Sequence, residues 1–216
     1  MTDFNCILAG VIRIITPLIL LIMWHKKTDA RLLPAPAALL ICFPVFIIAG
    51  AIRSGFDRCD FIAFYIQQGI LYGIFEEGVK FLAFRYLLKS YDNRKDAVTY
   101  GIGHSAFESI GGGMACLNLI GTGKAAPEIF IVNVWYAVEG AVFVIALTIL
   151  VFYGVYSNKS IVMLPVAMFL HALGNAAHGI FIKPVSFVIN LILLAGISYS
   201  AFRCWKAMQN PYEDEL

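Results

Sequence analysis

The chain predicts an all-α fold, a polytopic integral membrane protein of seven transmembrane helices, and three observations lead there. First, 60% of its 216 residues are hydrophobic and 14% are charged, where a soluble domain is about 45–50% apolar and about 25% charged. Second, the mean hydropathy is +0.80, which leaves too little polar surface to coat a soluble globule or to build a soluble domain beside the membrane part. Third, the apolar residues form continuous runs of about the 20 residues that a helical span needs. A barrel strand would alternate every second residue between short turns, and these runs do not. The expectation is one transmembrane domain over residues 1–216.

Polar breaks at 25–31, 54–60, 89–96, 121–128, 157–160 and 183–184 set the spans at 4–24, 33–53, 61–88, 97–120, 129–156, 161–182 and 185–205. The first run has no basic leader, is as long as a full span, and is followed by Lys26, Lys27 and Arg31, which reads as a retained anchor and not a cleaved signal. Seven spans send alternate loops to opposite sides. One side collects Lys26, Lys27, Arg31, Lys89, Arg94, Lys95, Lys159, Arg203 and Lys206, the other only Arg53, Arg58, Lys124 and Lys183. The positive-inside rule then places the N-terminus outside and the C-terminus, with Glu213-Asp214-Glu215, in the cytoplasm. No internal repeat or low-complexity linker interrupts the chain.

The net charge of +2, without a basic cluster interleaved with aromatics, gives no reason to expect nucleic acid. Cys6, Cys42, Cys59, Cys116 and Cys204 show no CxxC pair and no metal-ligand spacing. They read as small core hydrophobes.

What sets this chain apart is the ionisable content of its spans. Glu76 and Glu77 stand together in the third span, with Lys80 one turn on. A carboxylate at the bilayer centre costs roughly 2.5–3.5 kcal/mol on insertion scales, so intramembrane charges mark functional positions by default. At 1.5 Å per residue, Glu76, His104, Glu108, His171 and Asn175 fall roughly 10–21 Å from the cytoplasmic ends of spans three, four and six. Glu76 and Lys80, His104 and Glu108, and His171 and Asn175 are each i, i+4 pairs, so each pair points one way from its helix. Gly69 and Gly73 extend the Glu76 face as a small-residue stripe, and Gly101 and Ser105 flank His104, which lets the backbones approach where the polar groups are. The economical inference is a polar cavity between spans three, four and six, nearer the cytoplasmic side.

A simpler reading competes. A lone Glu–Lys pair in a membrane serves as readily for a structural clamp, with Glu77 on Lys80 or on another helix's cation. A clamp, however, has no need of two histidines and an Asn at the same depth. His178, nearer the outer face, reads as an interhelical hydrogen bonder, and His25 and Arg13 as interface or snorkelling residues. Glu139, roughly 27 Å from the cytoplasmic end, either pairs with Arg13 or joins the cavity. Gly111-Gly112-Gly113 loosens the outer half of span four, to open a path or only to let helices pack.

A buried carboxylate with a cation one turn away has the make-up of a general base for water, the role Glu76 fits. His104 and His171 can hold that water or donate to the oxyanion formed when a peptide carbonyl is attacked, with Asn175 as a neutral donor. No Ser–His pair, no Asp within a span and no cysteine next to a histidine in sequence supports a serine, aspartyl or thiol mechanism. A metal remains open: His104, Glu108 and His171 with one of the glutamates would form a His₂-carboxylate set with a free position for water, although no HExxH is present.

Three local patterns coincide in order: Phe75-Glu76-Glu77-Gly78-Val79-Lys80, then Tyr100-Gly101-Ile102-Gly103-His104 leading into Ser105-Ala106-Phe107-Glu108, then His171-Ala172-Leu173-Gly174-Asn175. They resemble the glutamate-type intramembrane proteases, which include the CAAX prenyl endopeptidases and the PrsW proteases, and within them the bacterial YhfC-like branch. The resemblance runs from about Tyr72 to Gly179. It implies an intramembrane endopeptidase of a bacterial plasma membrane that acts on a membrane protein or peptide within the lipid bilayer. Glu76 would activate water, Glu77 and Lys80 would support it, and His104, Glu108, His171 and Asn175 would complete the site. The CAAX endopeptidases carry Arg one place after the position of Lys80, so a prenylated substrate does not transfer; the YhfC-like branch is expected to follow the fifth-span Glu with Arg, where this chain has Gly140. The family is commonly called a metalloprotease, which brings zinc into consideration alongside metal-free glutamate catalysis. Two other classes compete: a non-catalytic scaffold, as the seven-span subunit of gamma-secretase is within the wider superfamily, and a proton-coupled carrier. Retention of the glutamates and histidines argues against the first, and the lack of inverted repeats against the second.

Overall fold

Helix starts in this chain are written locally. Asp60 caps the third helix by accepting from the Ala63 N–H at 3.0 Å. Asn93 and Asp96 form a capping box at the start of the fourth, where Asn93 Oδ1 accepts from the Lys95 N–H at 2.8 Å and the Asp96 carboxylate accepts from the Asn93 N–H at 3.3 Å. The second opens on Pro34, whose missing N–H would have no partner in a first turn.

The computed structural model describes residues 2–124, 126, 128–180 and 183–209. Its helices are α1 (Thr2–Thr28), α2 (Pro34–Ser54), α3 (Phe61–Leu82), α4 (Arg94–Leu117), α5 (Ile129–Tyr156), α6 (Ser160–Ile180) and α7 (Lys183–Ala207), and no strand occurs among the described residues. The all-helical expectation and the order of the elements are borne out, with boundaries moved by a few residues. The side chain of Lys183 and the Glu213-Asp214-Glu215 tail lie outside what is described. The third run differs in kind: its α-helix ends at Leu82 and continues as a π-helical turn, Ala83–Leu87. That wider turn delivers Phe84 between Tyr100 and Phe152, at ring-centroid distances of 4.9 and 5.0 Å.

Five helices, α1, α2, α5, α6 and α7, are long and apolar enough to cross a membrane. The two that fall short, α3 and α4, are those carrying Glu76, Glu77 and Lys80 and Arg94, Lys95, Asp96, His104 and Glu108. Their polar groups turn inward: every residue from Asp96 to Ala106 is buried, while apolar side chains such as Ile66, Ile70 and Ile74 of α3 face out. A mean hydropathy cannot separate a polar span lined by other helices from a soluble one.

α5 is the central post. It packs against α1, α4, α6 and α7, and its Leu147, Leu150 and Phe152 form the core with Tyr100 and Ile197. Glycine sets the remaining spacings. A Cβ on Gly69 would lie 2.4 Å from the Ala172 carbonyl oxygen and one on Gly73 would lie 2.5 Å from that of Met168, so the predicted small-residue stripe is the seam on which α3 meets α6. A Cβ on Gly103 would come within 2.2 Å of the Ala35 carbonyl, which fixes α2 directly against α4. Gly103→Val should therefore lower the thermal unfolding midpoint, by the roughly 1–3 kcal/mol or more that overpacking costs. Gly50, with nothing within 4 Å of its added Cβ, is the control: Gly50→Ala should be neutral or stabilising. Equal midpoints for the two variants would refute this account of the α2–α4 seam.

The α1–α2 loop is tied to the same corner. The Arg31 guanidinium bonds the Asp96 carboxylate, donates to the Ser90 carbonyl at 3.0 Å, and lies 4.4 Å over the Tyr91 ring. The bond to Asp96 raises the Arg31 pKa above its ordinary value.

Candidate active site

Glu76 and Glu77 are consecutive, so they leave α3 about 100° apart and must find different partners. The Glu76 carboxylate meets α4, with Oε2 2.9 Å from His104 Nε2. The Glu77 carboxylate faces α6 and its own helix: Oε1 accepts from Lys80 Nζ at 2.6 Å and lies 2.6 Å from His171 Nδ1. His171 also brings Nε2 to 3.7 Å from Glu76 Oε2, so one imidazole spans both carboxylates. Glu76, Glu77, Lys80, His104 and His171 are each at most 3% exposed. Burial at this level leaves the contacts weakly screened, so each is strong if satisfied and costly if broken.

One detail departs from the face argument. Glu76 and Lys80 do share a helix face at i, i+4, but the Lys80 ammonium reaches Glu77 at i, i+3, because His104 already occupies Glu76. The cation belongs to Glu77, and Glu76 is left facing two imidazoles.

The outer side of this network is open space. A cavity of about 280 Å³ is lined by Phe46, Gln68, Tyr72, Glu76, Glu108, Phe143, His171 and Asn175. A second, of about 330 Å³, is bounded by Arg13, Tyr136, Glu139 and His178 among others, and shares Glu108, Phe143 and Asn175 with the first. Asn175 thus stands on the wall between the two spaces and outside the hydrogen-bonded network. Glu139 pairs with neither Arg13 nor the Glu76–Glu77 network; its Oε1 is 3.2 Å from His178 Nε2. Arg13 donates to Asn133 Oδ1 at 2.9 Å instead, and its guanidinium occupies the space a Cβ on Gly112 would need. The triple glycine leaves α4 unbroken to Leu117; Gly112 and Gly113 pack against Arg13, Gly10 and Ile14 of α1, while a Cβ on Gly111 would meet nothing within 4 Å.

Sequence reasoning missed two neighbours from α2. Cys42 Sγ lies 3.1 Å from His104 Nδ1, and the Phe46 ring stands edge-on to His104 at 6.5 Å. Their i, i+4 spacing was the available signal, but in an apolar helix it is indistinguishable from ordinary packing. The other four cysteines are also free, with Cys6 and Cys116 buried and Cys59 exposed.

Glu76, His104 and Glu108 each offer a ligand atom, all within 4.8 Å of one another. One imidazole nitrogen and two carboxylate oxygens suit a divalent cation such as zinc. Glu108 takes no hydrogen bond from a protein donor among the described residues, which leaves its carboxylate available. The group holds His104, Glu108 and one of the glutamates, as expected, and lacks the second histidine of the expected set, His171.

A family model described as YhfC intramembrane metalloprotease matches residues 52–128, roughly a third of the chain. The matched stretch contains α3 and α4, and with them Glu76, Glu77, Lys80, His104 and Glu108, while His171 and Asn175 lie beyond it. The resemblance drawn from the three motifs is borne out by this match, and the CAAX and PrsW superfamily placement is consistent with it. No curated protein and no solved structure matches the chain. The match and the five apolar helices support an integral membrane protein of the hydrolase and protease class.

Proposed function

We propose that the chain is an intramembrane endopeptidase that cleaves a peptide bond of a membrane protein or peptide in the cytoplasmic half of a bacterial plasma membrane. The observation that carries this reading is the Glu76 carboxylate, buried at the wall of a cavity with His104 Nε2 at 2.9 Å and His171 Nε2 at 3.7 Å. The seven helices form one domain with the N-terminus outside, and the substrate enters the polar space between α3, α4 and α6.

Glu76 takes a proton from the attacking water and passes it to the leaving amine, while the neighbouring imidazoles hold the water and donate to the oxyanion. Glu77 is the supporting carboxylate. Held by Lys80 it cannot swing into the cavity, and it fixes the ring of His171 through Nδ1. Asn175 donates to the carbonyl oxygen as it gains charge. Glu76, His104 and Glu108 would hold a divalent cation. Such an ion, when bound, supplies Lewis-acid polarisation and a more acidic water.

Comparative proteomics of membranes carrying the wild-type or the Glu76→Ala protein should reveal a precursor that accumulates only with the variant. Indistinguishable membrane proteomes from a well-expressed variant would sink the reading. Treating the purified protein with a chelator then separates the two ways of activating water. Cleavage that survives chelation assigns it to Glu76 alone, and loss restored by zinc assigns it to the Glu76, His104 and Glu108 group.

A further inference from the structure

His104 is the group on which both versions of this site depend, and both of its ring nitrogens are spoken for. Nε2 faces Glu76 Oε2 at 2.9 Å, and Nδ1 faces Cys42 Sγ at 3.1 Å. Cys42 and His104 are each 0% exposed, so their contact lies wholly inside the protein. We infer that Cys42 is a positioning residue for His104, a reversible hydrogen-bond partner that lets the ring carry its proton on either nitrogen. The inference rests on the site proposed above.

The argument follows the proton. An ionised carboxylate only accepts, so beside Glu76 the neutral ring carries its hydrogen on Nε2, and the bare Nδ1 lone pair needs a donor. The Cys42 thiol donates. A cation held by Glu76, His104 and Glu108, whose ligand atoms lie within 4.8 Å of one another, would need the lone pair of the ring nitrogen on the Glu76 side, Nε2. The single ring proton must then sit on Nδ1, and its partner must accept. A thiol meets both demands by turning its S–H about the Cβ–Sγ bond. One proton moves from Nε2 to Nδ1, and the net charge of the ring is unchanged. Phe46, one turn along α2, stands edge-on to the imidazole at a centroid distance of 6.5 Å. A side chain that only donates or only accepts would favour one state of the site, whereas an apolar one would leave a buried nitrogen unpaired in either.

The test uses the full chain in lipid nanodiscs, labelled with ¹⁵N-histidine. The four histidines are assigned by single His→Gln variants, and His25 and His178 act as internal reporters of folding. Without metal, His104 should be the Nε2–H tautomer, and addition of Zn²⁺ should convert it to Nδ1–H. Cys42→Ala should weaken zinc affinity about 10- to 100-fold, the usual loss for a partner behind a metal-ligating histidine, and should broaden the His104 tautomer signal. Cys42→Ser, whose hydroxyl also donates and accepts, should restore affinity to within about threefold of wild type by the same measure.

Three results would overturn the inference. One is an Nδ1–H ring in the metal-free protein. Another is a Cys42→Ala protein with wild-type tautomer and zinc affinity. The third is a Cd²⁺–thiolate charge-transfer band that vanishes in Cys42→Ala, which would make Cys42 a ligand. None of these touches the peptidase reading, which stands or falls with Glu76.

Discussion

Glu76→Gln should lower the rate of cleavage of a membrane reporter by about 10²–10⁴-fold, the range that general-base removal typically gives. The substitution keeps the shape of the side chain and one oxygen for the His104 contact at 2.9 Å, so the network around it has no steric reason to collapse. What it removes is the ability to accept a proton. Either form of water activation predicts the loss, because a neutral amide is a poor base and a poor cation ligand. The measurement is turnover by purified protein in detergent, with thermal unfolding as the check on folding. Full-rate cleavage by a properly folded Glu76→Gln protein would remove Glu76 from the chemistry. Glu77→Gln is the informative comparison. Glu77 is bound through Oε1 to both Lys80 and His171, and of the two carboxylates Glu76 alone lines the cavity. Its replacement should act through His171 and weaken turnover less than Glu76→Gln does.

The difference between those two glutamates marks how far the sequence could be read. Helical periodicity is a property of the backbone, so it delivered Glu76, Lys80, His104 and His171 to one buried interior. Glycine spacing did the same for the α3–α6 seam, where the Gly69 and Gly73 backbones touch Ala172 and Met168. Choice of partner is a property of side-chain rotamers in three dimensions, and there the sequence was silent. Lys80 lies within reach of both glutamates on a bare helix; only the arrival of His104 on Glu76 decides for Glu77. Glu139 was placed at the right depth for Arg13, yet helix rotation gives it His178. Cys42 was invisible for a different reason, since a thiol in an apolar run carries no polar signature until a histidine is found against it. α3 and α4 fall short of the five helices that are long and apolar enough to cross a membrane because Glu76, Glu77 and Lys80 in one, and Asp96, His104 and Glu108 in the other, lower the mean.

Lys80→Met should destabilise the fold by roughly 3–5 kcal/mol, the usual penalty for breaking a buried ion pair by removing one partner. Methionine retains much of the aliphatic stem, so the loss isolates the charge. Lys80 and Glu77 are both 0% exposed and 2.6 Å apart, and Glu77 Oε2 has no partner among the described residues. Without the ammonium, that carboxylate keeps only the His171 contact. The reciprocal change, Glu77→Gln, strands the ammonium of Lys80 and should cost a similar amount. The double variant Lys80→Met/Glu77→Gln removes both charges and should recover most of the loss, since a buried pair replaced by neutral groups of similar volume is often close to neutral in stability. Thermal or denaturant unfolding in detergent, followed by helical circular dichroism, gives all four corners of the cycle. A double variant as unstable as the sum of the singles would show that Lys80 and Glu77 are not coupled. Recovered stability with impaired turnover is the result expected of a pair that sets the orientation of His171 and, through it, the water on Glu76.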